Sequence, residues 1–151
     1  MASRILSACG GFLFAVLWMD LMFDVQVLRH RRDRGDLSEE VLASIAGYYR
    51  RVTTLAQPMG HVIAAVMVLT LVAVGAEIVR GPTALGLASL PFCAGPIALA
   101  LARVVRHAVR LGARADPPAV QSALARGICR DHLLCLASIA IFVAIQLAAA
   151  R

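Results

Sequence analysis

Four apolar stretches divide the chain: Ile5 to Val27, Met59 to Val79, Ala84 to Val105 and Leu133 to Ala150. Each approaches the roughly 20 residues a helix needs to cross a bilayer. Lipid offers the backbone no hydrogen-bonding partner, so all four are predicted to be helical. The second and third are separated only by Arg80-Gly81-Pro82-Thr83, which makes them a tight antiparallel hairpin. Pro91 and Pro96 lie inside the third, which is therefore expected to be kinked or partly unwound.

The other two connections are longer and polar. After Arg29-His30-Arg31-Arg32-Asp33-Arg34 comes Asp36-Leu37-Ser38-Glu39, where Asp36 is expected to cap a helix and Glu39 to close a capping box. Val41, Leu42, Ile45, Tyr48, Tyr49, Val52 and Leu55 then recur at helical spacing. This is an amphipathic helix, and Tyr48 and Tyr49 beside Arg50 and Arg51 suit the headgroup layer. Pro58 starts the second span, since a first turn needs no N–H from it. Asp116-Pro117-Pro118 is predicted to be a cap and first turn of a helix that runs unbroken through Arg126 into the fourth span. The fold class is thus all-α: a polytopic four-transmembrane-helix bundle with an amphipathic cytoplasmic helix between the first and second spans. Residues 1–151 are expected to form a single integral membrane domain.

Composition agrees, because 60% hydrophobic residues exceeds the roughly 45–50% of soluble globular chains. The net charge of +6 would point to nucleic acid in a soluble protein. Here the arginines flank apolar runs, so the lipid bilayer is the expected partner and nucleic acid is not. Twelve arginines lie in or beside the first and third loops, at about 28–58 and 106–130, against Arg4, Arg80 and Arg151 on the other side. By the positive-inside rule the loops are cytoplasmic and both termini lie outside, in a bacterial inner membrane. All basic residues are Arg and none is Lys, which fits a GC-rich bacterial source. Leu6-Ser7-Ala8-Cys9 matches a lipoprotein lipobox, but the few residues before it are too short for a signal, so an uncleaved first span is expected. Cys9, Cys93, Cys129 and Cys135 form no C-x-x-C pair and are expected to be packing residues. Ala94, Ala98 and Ala102 on the third span and Ala140, Ala144 and Ala148 on the fourth form small-residue ridges suited to packing against each other or in a homo-oligomer.

Candidate chemistry gathers at the cytoplasmic end. Asp20 and Asp24 are spaced i, i+4 and share one helix face. They lie roughly 10 and 5 Å inside the point near Val27 where the first span leaves the hydrocarbon. Burial and the helix dipole both disfavour bare negative charge there, so a partner must answer them. Candidates at similar depth are His61, the group Arg103, Arg106 and His107, and the group Arg130, Asp131 and His132. Three readings follow. Asp20 and Asp24 could pair with Arg103, Arg106 or Arg130 and tie the bundle together. Alternatively Asp20, Asp24, His61 and His132 would be metal ligands or catalytic, proton-handling groups, with His61, His107 or His132 holding a haem. The third makes the cluster the gate of a small proton-coupled transporter, with Glu77 as the exit carboxylate unless it merely snorkels beside Arg80. No glycine-rich phosphate loop or Ser-His-acid arrangement is present.

Trp18 in the first span, the Arg50-Arg51 pair and the Pro58-started second span give a layout that resembles small bacterial four-helix membrane families. These include the haem-binding membrane protoporphyrinogen oxidase and the copper-resistance membrane domains. The resemblance implies a shared architecture and adds a haem- or metal-binding oxidoreductase to the alternatives. The haem enzyme's early first-span histidine has no counterpart, since the stretch here is Cys9-Gly10-Gly11-Phe12. The expected function is a binding or accessory membrane component with a polar pocket at its cytoplasmic side.

Overall fold

The computed structural model describes residues 2–30 and 35–149. Arg31, Arg32, Asp33 and Arg34 of the first loop lie outside the described residues, as do Ala150 and Arg151. The elements are α1 (Ala2–Arg29), α2 (Glu39–Arg50), α3 (Gln57–Arg80), α4 (Ala84–Leu99), α5 (Val105–Ala113) and α6 (Pro118–Ala149). Short π-helical segments, Arg51–Leu55 and Ala100–Val104, join α2 to α3 and α4 to α5.

Four helical stretches are long and apolar enough to cross a membrane, and the chain is a multi-pass all-α membrane protein. Each expected span is present, but its helix extends past the apolar run. The 32 residues of α6 reach about 48 Å at 1.5 Å per residue, well beyond a hydrocarbon core of about 30 Å. The helix through α4 and α5 continues likewise to Ala113. Pro91 and Pro96 do not interrupt α4; the helix widens into its π-helical segment just beyond them.

The spans pack in a ring, α1 to α3 to α4 to α6, with α6 closing on α1 along most of its length. This is the up-down-up-down bundle that short antiparallel connections favour. Leu6, Val74, Cys93 and Phe142 fill its interior toward the termini. Gly10 permits the close α1–α6 approach, since a Cβ there would stand 2.7 Å from Val143 Cγ2. The outward faces are apolar, with Val68, Val72 and Val79 of α3 exposed as lipid contact requires. Ala98, Ala102, Ala140, Ala144 and Ala148 are exposed too, so the alanine ridges do not form the α4–α6 seam. Larger residues do: Cys93 and Ile97 of α4 and Cys135 and Ile139 of α6 are buried, and Cys135 Sγ lies 3.7 Å from the Pro96 carbonyl. All four cysteines are buried and free, as packing residues should be.

At the arginine-rich end a second core forms where α2 docks on α5, α6 and the end of α1. Leu42, Ile45, Ala46 and Tyr49 of α2 pack with Val27, Val104, Ala108, Leu111, Leu124 and Ile128. The amphipathic helix therefore buries its apolar stripe against protein rather than in headgroups, which corrects the interfacial placement of Tyr48 and Tyr49. Only Leu55, at its far end, stays exposed. Its cap differs as well: Ser38 Oγ accepts from Val41 N at 3.4 Å, so the cap falls two residues after the expected Asp36. Glu39 closes no capping box, because its carboxylate pairs with Arg114 Nη2 at 2.7 Å. Similarly, α6 begins at Pro118 and not beside Asp116, whose carboxylate is held by Arg110 at 2.7 Å. Leu37 N donates to the Ser122 hydroxyl at 2.9 Å, and Arg126 Nη2 to the Gly35 carbonyl at 2.7 Å, fastening the chain entering α2 to α6. Arg114 ends α5 at φ 53°, left-handed backbone that is unfavourable for a side-chain-bearing residue. Its backbone N–H closes the helix end on the Leu111 carbonyl at 3.2 Å, and its guanidinium reaches Glu39.

Gly112 lets α5 meet α2 backbone to backbone, because a Cβ there would stand 2.8 Å from Arg50 N and 3.0 Å from Arg50 Cα. Gly11 has nothing within 4 Å of the same point. In detergent, Gly112→Ala should therefore lower unfolding stability by about 1–3 kcal/mol through overpacking. Gly11→Ala should be neutral or stabilising by up to about 1 kcal/mol, the helix-propensity gain. Equal effects would contradict the close crossing.

Candidate functional site

Inside the second core lies a polar network built from three helices. Tyr49 sits on the buried stripe of α2, at i+7 from Leu42 and i+4 from Ile45, so its ring is carried inward. A buried phenol needs a hydrogen-bond partner. It finds one in α1, where Tyr49 Oη donates to Asp24 Oδ1 at 2.7 Å. The other oxygen, Asp24 Oδ2, lies 2.7 Å from His132 Nδ1 of α6, a contact that holds one proton between them. Asp24 is fully buried and His132 nearly so. One turn earlier on α1, Asp20 Oδ1 accepts from Tyr48 Oη at 2.5 Å, and Asp20 Oδ2 stands 3.8 Å from His132 Nε2. Tyr48 is also stacked on Phe23, with ring centroids 4.0 Å apart.

The order of groups is therefore Tyr48, Asp20, His132, Asp24, Tyr49. Its central imidazole stands between two carboxyl groups, and each carboxyl is terminated by a phenol. Burial pushes both tyrosine hydroxyls well above their ordinary range, with the neighbouring aspartates adding to the effect. They are consequently fixed as donors at neutral pH, and this sets which Asp24 oxygen is left for His132.

A separate ion pair lies beside the network. Asp131 of α6 is buried, and Arg103 reaches it with Nη2 donating to Oδ1 at 3.0 Å and Nε 2.8 Å from Oδ2. Arg130 Nε is 3.5 Å from the same carboxylate. The arginines expected to answer Asp20 and Asp24 thus answer Asp131 instead, and the aspartates of α1 are met by His132 and two tyrosines. Arg106 does neither, since its guanidinium turns back to the carbonyl of Ala102 in its own helix.

Of the other expected site residues, His61 is exposed on α3 and makes no hydrogen bond or ion pair among the described residues. It shares depth with the cluster but not direction. His107 lies on α5 with Nδ1 buried and unpartnered. Neither His61 nor His107 joins His132, and among the described residues no three His, Cys, Asp or Glu side chains are arranged to hold a metal ion. Glu77, toward the opposite end of the bundle, has Oε2 buried without a partner and forms no ion pair with the exposed Arg80.

The sequence reading missed Tyr48 and Tyr49 as network members. Their tandem placement beside two arginines looks like an interfacial belt, but Tyr49 falls on the same stripe as Leu42 and Ile45, and that was the available signal. The pairing of Asp131 with Arg103 joins two helices remote in sequence, and depth alone does not reveal it.

The tyrosines give the network a pH signature. A phenol whose proton is held more tightly in the folded state contributes stability below the free value of about 10, and this is lost as pH rises above it. Unfolding stability in detergent should therefore fall through the range above pH 10. In Tyr48→Phe/Tyr49→Phe that fall should be smaller, and an identical alkaline profile in both proteins would contradict the buried placement. No family model matches this chain, and no curated protein or solved structure is significantly similar to it, so its function is read from its own geometry.

Proposed function

We propose that this protein is a binding or accessory component of a bacterial inner membrane, in which the Asp20–His132–Asp24 network docks α2 on the cytoplasmic end of the bundle. The observation that carries the reading is the use of both Asp24 oxygens by protein groups, Tyr49 of α2 and His132 of α6. A carboxyl already engaged on both sides is a tie between helices rather than an open ligand. Breaking it leaves polar groups stranded in a low-dielectric interior, which is costly. The orientation in this reading is supported by the asymmetry of the arginines, and termini outside the cytoplasm follow from it. α2 and the arginines around it would then be the surface offered to a partner, whether a second copy or another membrane protein.

A second reading, proton movement through the bundle, is favoured by the imidazole lying between two carboxyls. It would make α2 a cover for a proton-coupled transporter. Two measurements separate them. In nanodiscs, the amides of residues 39–55 should exchange with deuterium about tenfold faster in Tyr48→Phe/Tyr49→Phe than in the natural protein, as the loss of roughly 1.4 kcal/mol of docking requires, while the spans stay protected. In sealed vesicles Asp20→Asn should leave proton flux unchanged. Unaltered exchange in the tyrosine variant would remove the docking reading, and flux above protein-free vesicles that Asp20→Asn abolishes would establish the second.

A further inference from the structure

The end of the bundle opposite the arginine-rich loops carries polar side chains of its own, remote from the buried network. Leu6, Val74, Cys93 and Phe142, one from each span, form an apolar layer there. One turn nearer the termini, on the same four helix faces, stand Ser3 (three residues before Leu6), Glu77 (three after Val74), Ser89 (four before Cys93) and Gln146 (four after Phe142). Helical spacing thus sets a polar layer on an apolar one. Every span contributes one oxygen-bearing side chain to it.

This layer is poorly supplied with hydrogen-bond donors. Ser89 is 0% exposed and Gln146 1%, so water does not reach them from outside. Gln146 Oε1 and Glu77 Oε2 are buried without a hydrogen-bond partner, as is the hydroxyl of Ser7, one turn further along α1 than Ser3. Stranded buried acceptors are costly and rare. The serines of the layer do not relieve them, because Ser3 Oγ donates to the Gln146 carbonyl at 2.8 Å and Ser89 Oγ to the Gly86 carbonyl at 2.8 Å. With those protons spent on backbone, both hydroxyls have only lone pairs left to offer. Arg4 and Arg80 at this end are exposed, and neither reaches Glu77 Oε2.

What remains is a set of oxygen acceptors with a single carboxylate, since Glu77 is the only one of the nine acidic residues on this half of the bundle. Hard cations take carboxylate, amide and hydroxyl oxygens of this kind. A divalent ion would leave a net positive charge inside a membrane span, whereas a monovalent one is neutralised by Glu77.

We infer that the Ser3, Glu77, Ser89 and Gln146 layer binds a small alkali cation of the sodium class. Glu77 supplies the charge, and Gln146 Oε1 with the serine hydroxyls supplies neutral oxygens. Glu77 lies three residues before Arg80, the end of α3, which is about 5 Å in depth, so the ion enters at the terminal end without crossing the bundle. The site does not depend on the docking role of the Asp24 network.

A cation that binds only the folded state stabilises it by mass action. In detergent at constant ionic strength, with choline chloride replaced by sodium chloride, the apparent unfolding equilibrium constant should fall about tenfold for each tenfold rise in sodium above the dissociation constant. Choline is too large to enter between the four helices. Glu77→Gln, which keeps the side chain's shape and removes its charge, should abolish the dependence. Gln146→Leu should move it to sodium concentrations about tenfold higher, as loss of one oxygen ligand requires. Glu40→Gln, at an exposed acid on α2, should retain it. Equilibrium binding of radiolabelled sodium to the natural protein should saturate at a single site, and Glu77→Gln with unchanged helix content should bind none. Equal stability in sodium and choline would show that water alone fills the layer and would overturn the proposal. So would a sodium dependence that survives Glu77→Gln or is lost in Glu40→Gln.

Discussion

A carboxyl group with no access to solvent constrains this structure more than any other feature. Asp24 is fully buried, and neither water nor lipid can satisfy it. The fold meets the demand from two directions at once, with a phenol from α2 and an imidazole from α6. Three helices are thereby fixed in register at one point. Without that point α2 would keep its apolar stripe and the Tyr48–Asp20 and Gln26–Ser44 hydrogen bonds to α1, but it would lose the fully buried link that joins it to α1 and α6 together.

The remaining contacts at the same end fit this arrangement. Gly112 lets α5 come close enough to complete the wall behind Tyr49, and Glu39 with Arg114 anchors the start of α2 to the turn before α6. Ser122 and Arg126 hold the chain that enters α2. Arg103 and Asp131 form their own pair alongside, so the guanidinium charge does not compete for Asp24. The buried carboxyl groups at this end are met by two separate sets of partners, Asp131 by arginine and Asp20 and Asp24 by tyrosine and histidine. Toward the termini the interior is built largely from packing, with Leu6, Val74, Cys93 and Phe142 at its centre.

Much of the architecture was legible because hydropathy reports directly on the solvent, and lipid forces apolar runs to be helices. The short hairpin at Gly81 and Pro82 and the helix continuing from Pro118 through Arg126 followed from the same logic. The site was legible only in part. Depth along a helix can be counted from sequence, and of the groups it placed near one another Asp20, Asp24 and His132 are in contact. Direction around the helix axis cannot be counted without knowing the neighbours. His61 was therefore misjudged, since α3 turns it outward, and Arg103 was matched to the wrong aspartate. The alanine ridges misled for the same reason: abundance of small residues in a span does not say which face meets another helix. Tyr48 and Tyr49 carried both an interfacial and a buried signature, and the docking of α2 on α5, a long-range contact, decided between them.

The central claim is that Asp24 and Tyr49 act as one unit linking α1 to α2, and a double-mutant cycle measures that coupling directly. Unfolding free energies in detergent would be compared for the natural protein, Asp24→Asn, Tyr49→Phe and the double variant. The expected result is a coupling of about 0.5–3 kcal/mol, with the double variant little less stable than the worse single one. Losses that add to within about 0.3–0.5 kcal/mol would show that the two groups do not depend on each other and would contradict the account.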